Sequence, residues 1–174
     1  MATRSNIAYR TPEGRIVSVY CHWDGYPAHN GEMLRRHYTT NEKIAELISL
    51  GSLSSLRPEI GVKHDFSSLD TDMTSEEFDA KYGEMTTAYH RDRGERLHVS
   101  TYNDIPSWIE DMEEYAYLWN GQEWLVNDHG EMDEHGRFPI FSRVVDILDP
   151  NQLKEMGWDG VDQDPAFQTQ PEDA

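Results

Sequence analysis

Tyr20-Cys21-His22-Trp23-Asp24-Gly25-Tyr26-Pro27 joins an alternating apolar run, Ile16-Val17-Ser18-Val19-Tyr20, to a helical pattern downstream. The alternation has the period of a strand with one buried face. Asp24-Gly25 and Pro27 are turn chemistry. Gly25 is expected to take a positive φ, Asp24 to accept a hydrogen bond from the backbone two residues on, and Pro27 to end strand pairing. A strand end, a turn and a helix start therefore meet here, and ligand sites often form at such places. The residue types favour architecture over chemistry. Cys21 reads as a small buried hydrophobe. Trp23 is expected to close the core, so that its loss removes about 3–5 kcal/mol.

Upstream, Asn6-Ile7-Ala8-Tyr9-Arg10-Thr11 alternates weakly and Pro12-Glu13-Gly14 supplies a turn, so residues 6–23 read as a β-hairpin. Downstream, Met33, Leu34, His37 and Tyr38 recur at helical spacing. Thr39 and Glu42 have capping-box spacing, Ile44, Leu47 and Ile48 share a face, and Gly51 is a stop. Residues 52–72, rich in Ser, Pro and Gly, read as a surface excursion. Residues 74–82 read as a helix, 89–95 as a charged turn, 97–100 as a strand, and 107–115 as a helix behind Pro106. Residues 115–119 and 122–126 form a second hairpin across Asn120-Gly121. Residues 138–148 hold a last apolar run, strand or helix.

These elements predict one α+β domain over residues 1–160. Its sheet is mostly antiparallel, built from the two hairpins, with the helices packed on one face. Residues 161–174 read as an acidic, flexible tail. Trp23, Leu34, Ile44, Leu47, Ile48, Trp108, Leu118 and Trp124 are the expected buried set.

Hydrophobic residues are 37% of the 174, below the usual globular share, but 11% aromatics supply large core anchors and place the chain among folded proteins. One cysteine rules out an internal disulfide and a multi-cysteine zinc site. No apolar run is long enough to span a bilayer. With no signal segment behind Met1, the expected location is the cytoplasm. The net charge of -18 is uneven. Residues 106–174 carry three Lys+Arg against 17 Asp+Glu, a net of -14, whereas residues 1–105 carry 12 against 16, a net of -4. Such a field repels nucleic acid and attracts basic protein surfaces. Glu110, Asp111, Glu113, Glu114, Asp133 and Glu134 are the candidate docking face.

Two further clusters carry chemistry. Tyr89, His90, Arg91 and Arg93 are a compact basic group that, with Trp23, suits a phosphate or a base. Pairing with Asp92 and Glu95 accounts for the same arginines. Asp128, His129, Glu131, Asp133 and His135 are ligand types for a divalent cation, without the spacing of an EF-hand loop. A solvated loop accounts for them too. Cys21 and His22 fall on opposite faces of a strand, which argues against a joint metal or nucleophile site. No phosphate-loop, nucleophile-elbow or H-E-x-x-H pattern occurs.

Ser5-Asn6-Ile7, Tyr20 to Pro27, Gly31, Leu34, Tyr38, Lys43, Leu47-Ile48 and Leu50-Gly51-Ser52-Leu53-Ser54-Ser55-Leu56 resemble a group of small proteins encoded by tailed bacteriophages. Ala88 to Glu95 and the second hairpin resemble its later landmarks. The resemblance implies expression inside an infected bacterium and an accessory role directed at the host. It carries over no catalytic residue. The resulting expectation is a non-enzymatic inhibitor that binds a basic host protein, needing no cofactor and touching neither nucleic acid nor membrane. A second reading is a protein that sequesters a small nucleotide, for example a host defence signal. A third is a metal-dependent hydrolase at residues 128–135.

Overall fold

The computed structural model describes residues 2–64, 74, 76, 77, 80 and 83–168. Among the described residues, eight strands form one mixed sheet: β1 (Ser5–Arg10), β2 (Ile16–Cys21), β3 (Leu53–Ser55), β4 (Thr87–Ala88), β5 (Ser100–Tyr102), β6 (Tyr115–Trp119), β7 (Trp124–Asp128) and β8 (Ser142–Arg143). Their order is β4-β3-β2-β1-β6-β7-β8, with β5 pairing on β2. Both expected hairpins are present, and they join through β1 and β6 (Ser5 opposite Tyr115, Tyr9 opposite Trp119). That junction is parallel, as is β2 with β3, so the sheet is mixed. A parallel pair needs a long crossover, and side-chain alternation is the same for either direction, so the sequence does not signal it.

The period of two in β1, β2, β6 and β7 sorts two cores. Ile7, Val19, Cys21, Tyr117, Trp119, Trp124 and Val126 face one layer. There they meet α1 (Glu32–His37), α2 (Asn41–Ser49), α5 (Val144–Ile147) and α6 (Pro150–Glu155) through Leu34, Ile44, Leu47, Val144 and Leu153. Ala8, Ile16, Ala116 and Leu118 face the other way, onto Trp108 and Ile109 of α4 (Ile105–Glu110). Helices therefore cover both faces, not one. The Trp108 indole donates to Ser18 Oγ at 2.9 Å, a bond that seats α4 on the second face.

Several local expectations shift. Leu53 and Leu56 are fully buried, so the stretch after Gly51 opens as a strand before it reaches the surface. Gly51 does end α2, at φ +81°. The α2 cap is Thr40 rather than Thr39, its Oγ1 accepting from Lys43 N. The second hairpin's loop has four residues, because Asn120 Oδ1 takes the amides of Gln122 and Glu123 out of the ladder. The strand after residue 97 starts at Ser100, and the helix after Pro106 begins at Ile105 and stops at Glu110. Residues 65–72 and most of the helix expected at 74–82 lie outside the described residues.

The expected tail is docked over its described part: Val161 is buried, Phe167 packs on the core, and Asp164 pairs with Arg35 at 2.6 Å. Residues 169–174 lie outside the description.

Of the expected buried set, all but Trp23 are buried. Trp23 is 45% exposed, with His22 edge-on at 4.6 Å. Its backbone amide donates to Ser54 O, which continues the pairing toward β3 while the indole projects outward. Trp23→Ala is accordingly expected to change stability by less than about 1 kcal/mol, as for an exposed position. A urea titration showing a loss of several kcal/mol would contradict this.

Candidate functional site

Residues 20–27 build a buried polar knot. Pro27 opens a one-turn π-helix (Pro27–Gly31) that runs into α1, and its Asn30 points fully buried toward the sheet. Asn30 Nδ2 faces Trp23 O (3.2 Å), Ser5 Oγ (3.3 Å) and Cys21 Sγ (3.5 Å). The left-handed residue is Asp24, at φ +58°, rather than Gly25. Gly25 is required instead by close approach, since a Cβ there would lie 2.8 Å from Arg4 C and Thr3 O. Its amide donates to Thr3 O and its carbonyl accepts from the Tyr117 hydroxyl at 2.6 Å.

Cys21 is therefore packing. Burial pushes its thiol up to about 12, and Tyr38 likewise to about 12, while Tyr117 is pushed up well above the ordinary phenol. The sign follows from linkage. Each group is neutral in the fold and ionises more readily when unfolded, from about 9 for a thiol and 10 for a phenol. Their stabilisation is complete below pH 9 and is lost as pH rises toward 12. Urea midpoints are expected to hold level up to pH 9 and then fall. Cys21 is expected to resist a disulfide reagent at pH 8 until urea unfolds the chain, whereas fast native labelling would show a reactive thiol.

The basic cluster is not a turn but a short helix, α3 (Tyr89–Arg93), and its central arginine is spent on the fold. Asp92, with its side chain inaccessible to solvent, accepts from the amides of His64 (3.0 Å) and Ala88 (2.8 Å) and from Arg91 Nε (2.9 Å). Arg91 Nη1 and Nη2 donate to Ile60 O and Thr86 O. His90 donates to Glu95 O, and Arg93 pairs with Glu95 at 3.1 Å and lies over the Tyr89 ring. Arg91 thus points into the fold, whereas the Trp23 amide donates to Ser54 O and the Tyr89 amide to Ser52 O.

The loop after β7 is held by its own acids. Asp133 Oδ1 accepts the amides of His135 and Arg137, and Asp128 pairs with His129. Among the described residues, no three His, Cys, Asp or Glu side chains converge as a metal set, those of Asp128, His129, Glu131, Asp133 and His135 included.

Residues 112–115 and 128–130, by contrast, come together. β6 starts where β7 ends, with Tyr115 opposite Asp128. His129 N donates to Glu114 O, and Arg4 binds both Glu114 (its amide, 2.7 Å) and Glu113 (3.7 Å). Burial raises Tyr115, and the charges of Asp128 and Glu114 push it the same way. Glu110, Asp111 and Glu134 are exposed; Glu113, Glu114 and Asp133 are half-buried. Glu110, Asp111, Glu114, Glu131 and Asp133 make no ion pair with Lys or Arg among the described residues.

No family model, curated protein or solved structure matches the chain. No helix among the described residues is long and apolar enough to cross a membrane.

One feature escapes the sequence entirely. A cleft of about 470 Å³ brings His29, Arg36, His37, Arg57 and Trp158 together from three separate segments, with Gly83 and Glu84 from a fourth. No spacing in the chain links them.

Proposed function

We propose that this protein is a binding protein without chemistry of its own, which inhibits a basic host protein by docking its acidic end as a charge mimic. The resemblance of its opening motif supports a bacteriophage accessory role in the host cytoplasm. The observation that carries the reading is the meeting of Glu114 and Tyr115 with Asp128 and His129 at one end of the sheet, within a segment of net charge -14. Carboxylates held on strand ends and their short connections present a fixed pattern, and a fixed pattern can match cations that otherwise meet phosphates. Exposed charges act through a field that reaches about 10 Å at 0.1 M salt, so binding is expected to be fast at low salt and weak at high salt.

The test is capture from bacterial lysate with the full chain immobilised. A small number of basic, nucleic-acid-binding proteins is expected at low salt, released as salt is raised. An empty low-salt capture, or one whose members stay bound at about 1 M salt, where the screening length is about 3 Å, would count against the proposal.

A further inference from the structure

In a chain with more than twice as many acids as bases, the cleft beside α1 is built from guanidinium and imidazole groups. It lies between the π-helix, α1, the segment after β3 and the loop after α6. Its size falls in the range of small-molecule sites, about 300–1,000 Å³.

Each basic group is set in place from behind. Glu32 is fully buried, and its Oε2 accepts from Arg36 Nε at 3.0 Å. The Arg36 guanidinium also lies 4.9 Å from the Trp158 ring, whose indole N–H is tied to Ala28 O. Its two Nη groups have no hydrogen-bond partner among the described residues. Arg57 donates from Nη1 to Leu56 O and toward His29 Nε2 at 3.5 Å, which leaves Nε and Nη2 without a partner among those residues.

The His29 tautomer follows from Asn30. With Nδ2 among three acceptors, Asn30 turns Oδ1 to His29 Nδ1 at 2.9 Å, and an amide oxygen only accepts. The proton therefore sits on Nδ1, and Nε2 faces Arg57. The π-turn produces this arrangement by sending Asn30 inward and His29 to the cleft, and such turns recur at functional sites. Burial holds His37 below its ordinary value, and Lys43 and Arg36 push it the same way against Glu59 and Glu84. Glu84 and Asp159 also line the cleft and oppose long-range attraction of anions. Recognition must then come from guanidinium donors at contact distance, the fork geometry that suits phosphate oxygens.

We propose that this cleft binds a small phosphate monoester, up to the size of a nucleoside monophosphate, with its phosphate on Arg36 and Arg57 and its body against Met33, Pro58 and Trp158. The cleft shares no residue with the acidic end, so either proposal can fail alone.

Calorimetry and histidine NMR on the full chain, with adenosine monophosphate, ribose 5-phosphate and adenosine as probes, test it. Both phosphates are expected to bind, to shift the ring signals of His29 and His37 and to raise the His37 pKa. Adenosine is expected not to bind. A nucleoside monophosphate that outbinds ribose 5-phosphate would identify an aromatic body, and equal binding a sugar phosphate. Arg57→Gln is expected to weaken binding at least tenfold, with Arg93→Gln unchanged. Absence of His29 and His37 shifts at millimolar phosphate ester, equal binding of adenosine, or full affinity in Arg57→Gln would overturn the proposal. Should Arg57→Gln not fold, the wild-type histidine shifts decide.

Discussion

Asp92→Ala is expected to lower stability by about 3–5 kcal/mol, the range for removing one partner of a buried ion pair. The carboxylate accepts from two backbone amides and from both Nε and Nη2 of Arg91. Its removal strands the His64 and Ala88 amides, each costing about 1–3 kcal/mol if left unpaired, although Arg91 keeps its bonds to Ile60 O and Thr86 O. Against a total of about 5–15 kcal/mol this is a large share. Asp92→Asn, which keeps an acceptor, is expected to lose less. Arg93→Ala, at an ion pair about half exposed, is expected to stay within about 1 kcal/mol. Urea midpoints of the three variants check the order. A near-neutral Asp92→Ala would mean that Arg91 is not held as described and is available to a ligand.

The second large effect is expected at Gly25→Ala. The new Cβ would stand 2.8–2.9 Å from the backbone of Thr3 and Arg4, which cannot rotate aside as a side chain would. Relief requires the residue 3–4 segment to move away, breaking the Gly25 amide bond to Thr3 O. If Gly25 moves instead, the Tyr117 hydroxyl loses its acceptor inside the core. Overpacking of about 1–3 kcal/mol and an orphaned hydroxyl of about 1–3 kcal/mol together predict a loss of about 2–6 kcal/mol. Trp23→Ala, two residues away, is the contrast, because the larger side chain matters less than the missing one. Thermal or urea unfolding of the pair tests this. Equal effects would remove the polar knot from the account.

What could be read in the sequence was what has a short period. The hairpin of β1 and β2 shows because its alternation and its turn are local, and α2 shows because Ile44, Leu47 and Ile48 share a face ahead of Gly51, though its cap is one residue later than the spacing of Thr39 and Glu42 suggests. The parallel β1–β6 pairing joins Ser5 to Tyr115, and nothing local marks a contact at that separation. The sequence misplaces Trp23 for a related reason. Alternation through Tyr20 puts Trp23 on the Cys21 face, but β2 ends at Cys21, Asp24 turns left-handed, and the Trp23 side chain lies outside the core. Trp108, flagged by helical spacing, was buried as expected but on the opposite face, because amphipathicity marks an apolar side and not which layer it meets.

The sites follow the same division. The acidic end was visible as a charge count, and the fold adds that its two halves meet. Arg91 looked like a ligand group because its acceptors, Ile60 O and Thr86 O, are backbone atoms that a sequence does not advertise. The cleft at Arg36 and Arg57 was invisible because its parts come from residues 29–37, 57–58, 83–84 and 157–159.

The proposed role requires the acidic end to dock on a basic partner. Its most direct test is the affinity of the captured partner, measured at about 0.05 M and about 0.5 M salt, for wild type and for a variant carrying Glu110→Gln, Asp111→Asn, Glu114→Gln and Glu134→Gln. Wild-type binding is expected to fall at least tenfold between the two salts, and the variant to bind weakly at both. Equal affinity of the two proteins, or binding indifferent to salt, would contradict the account.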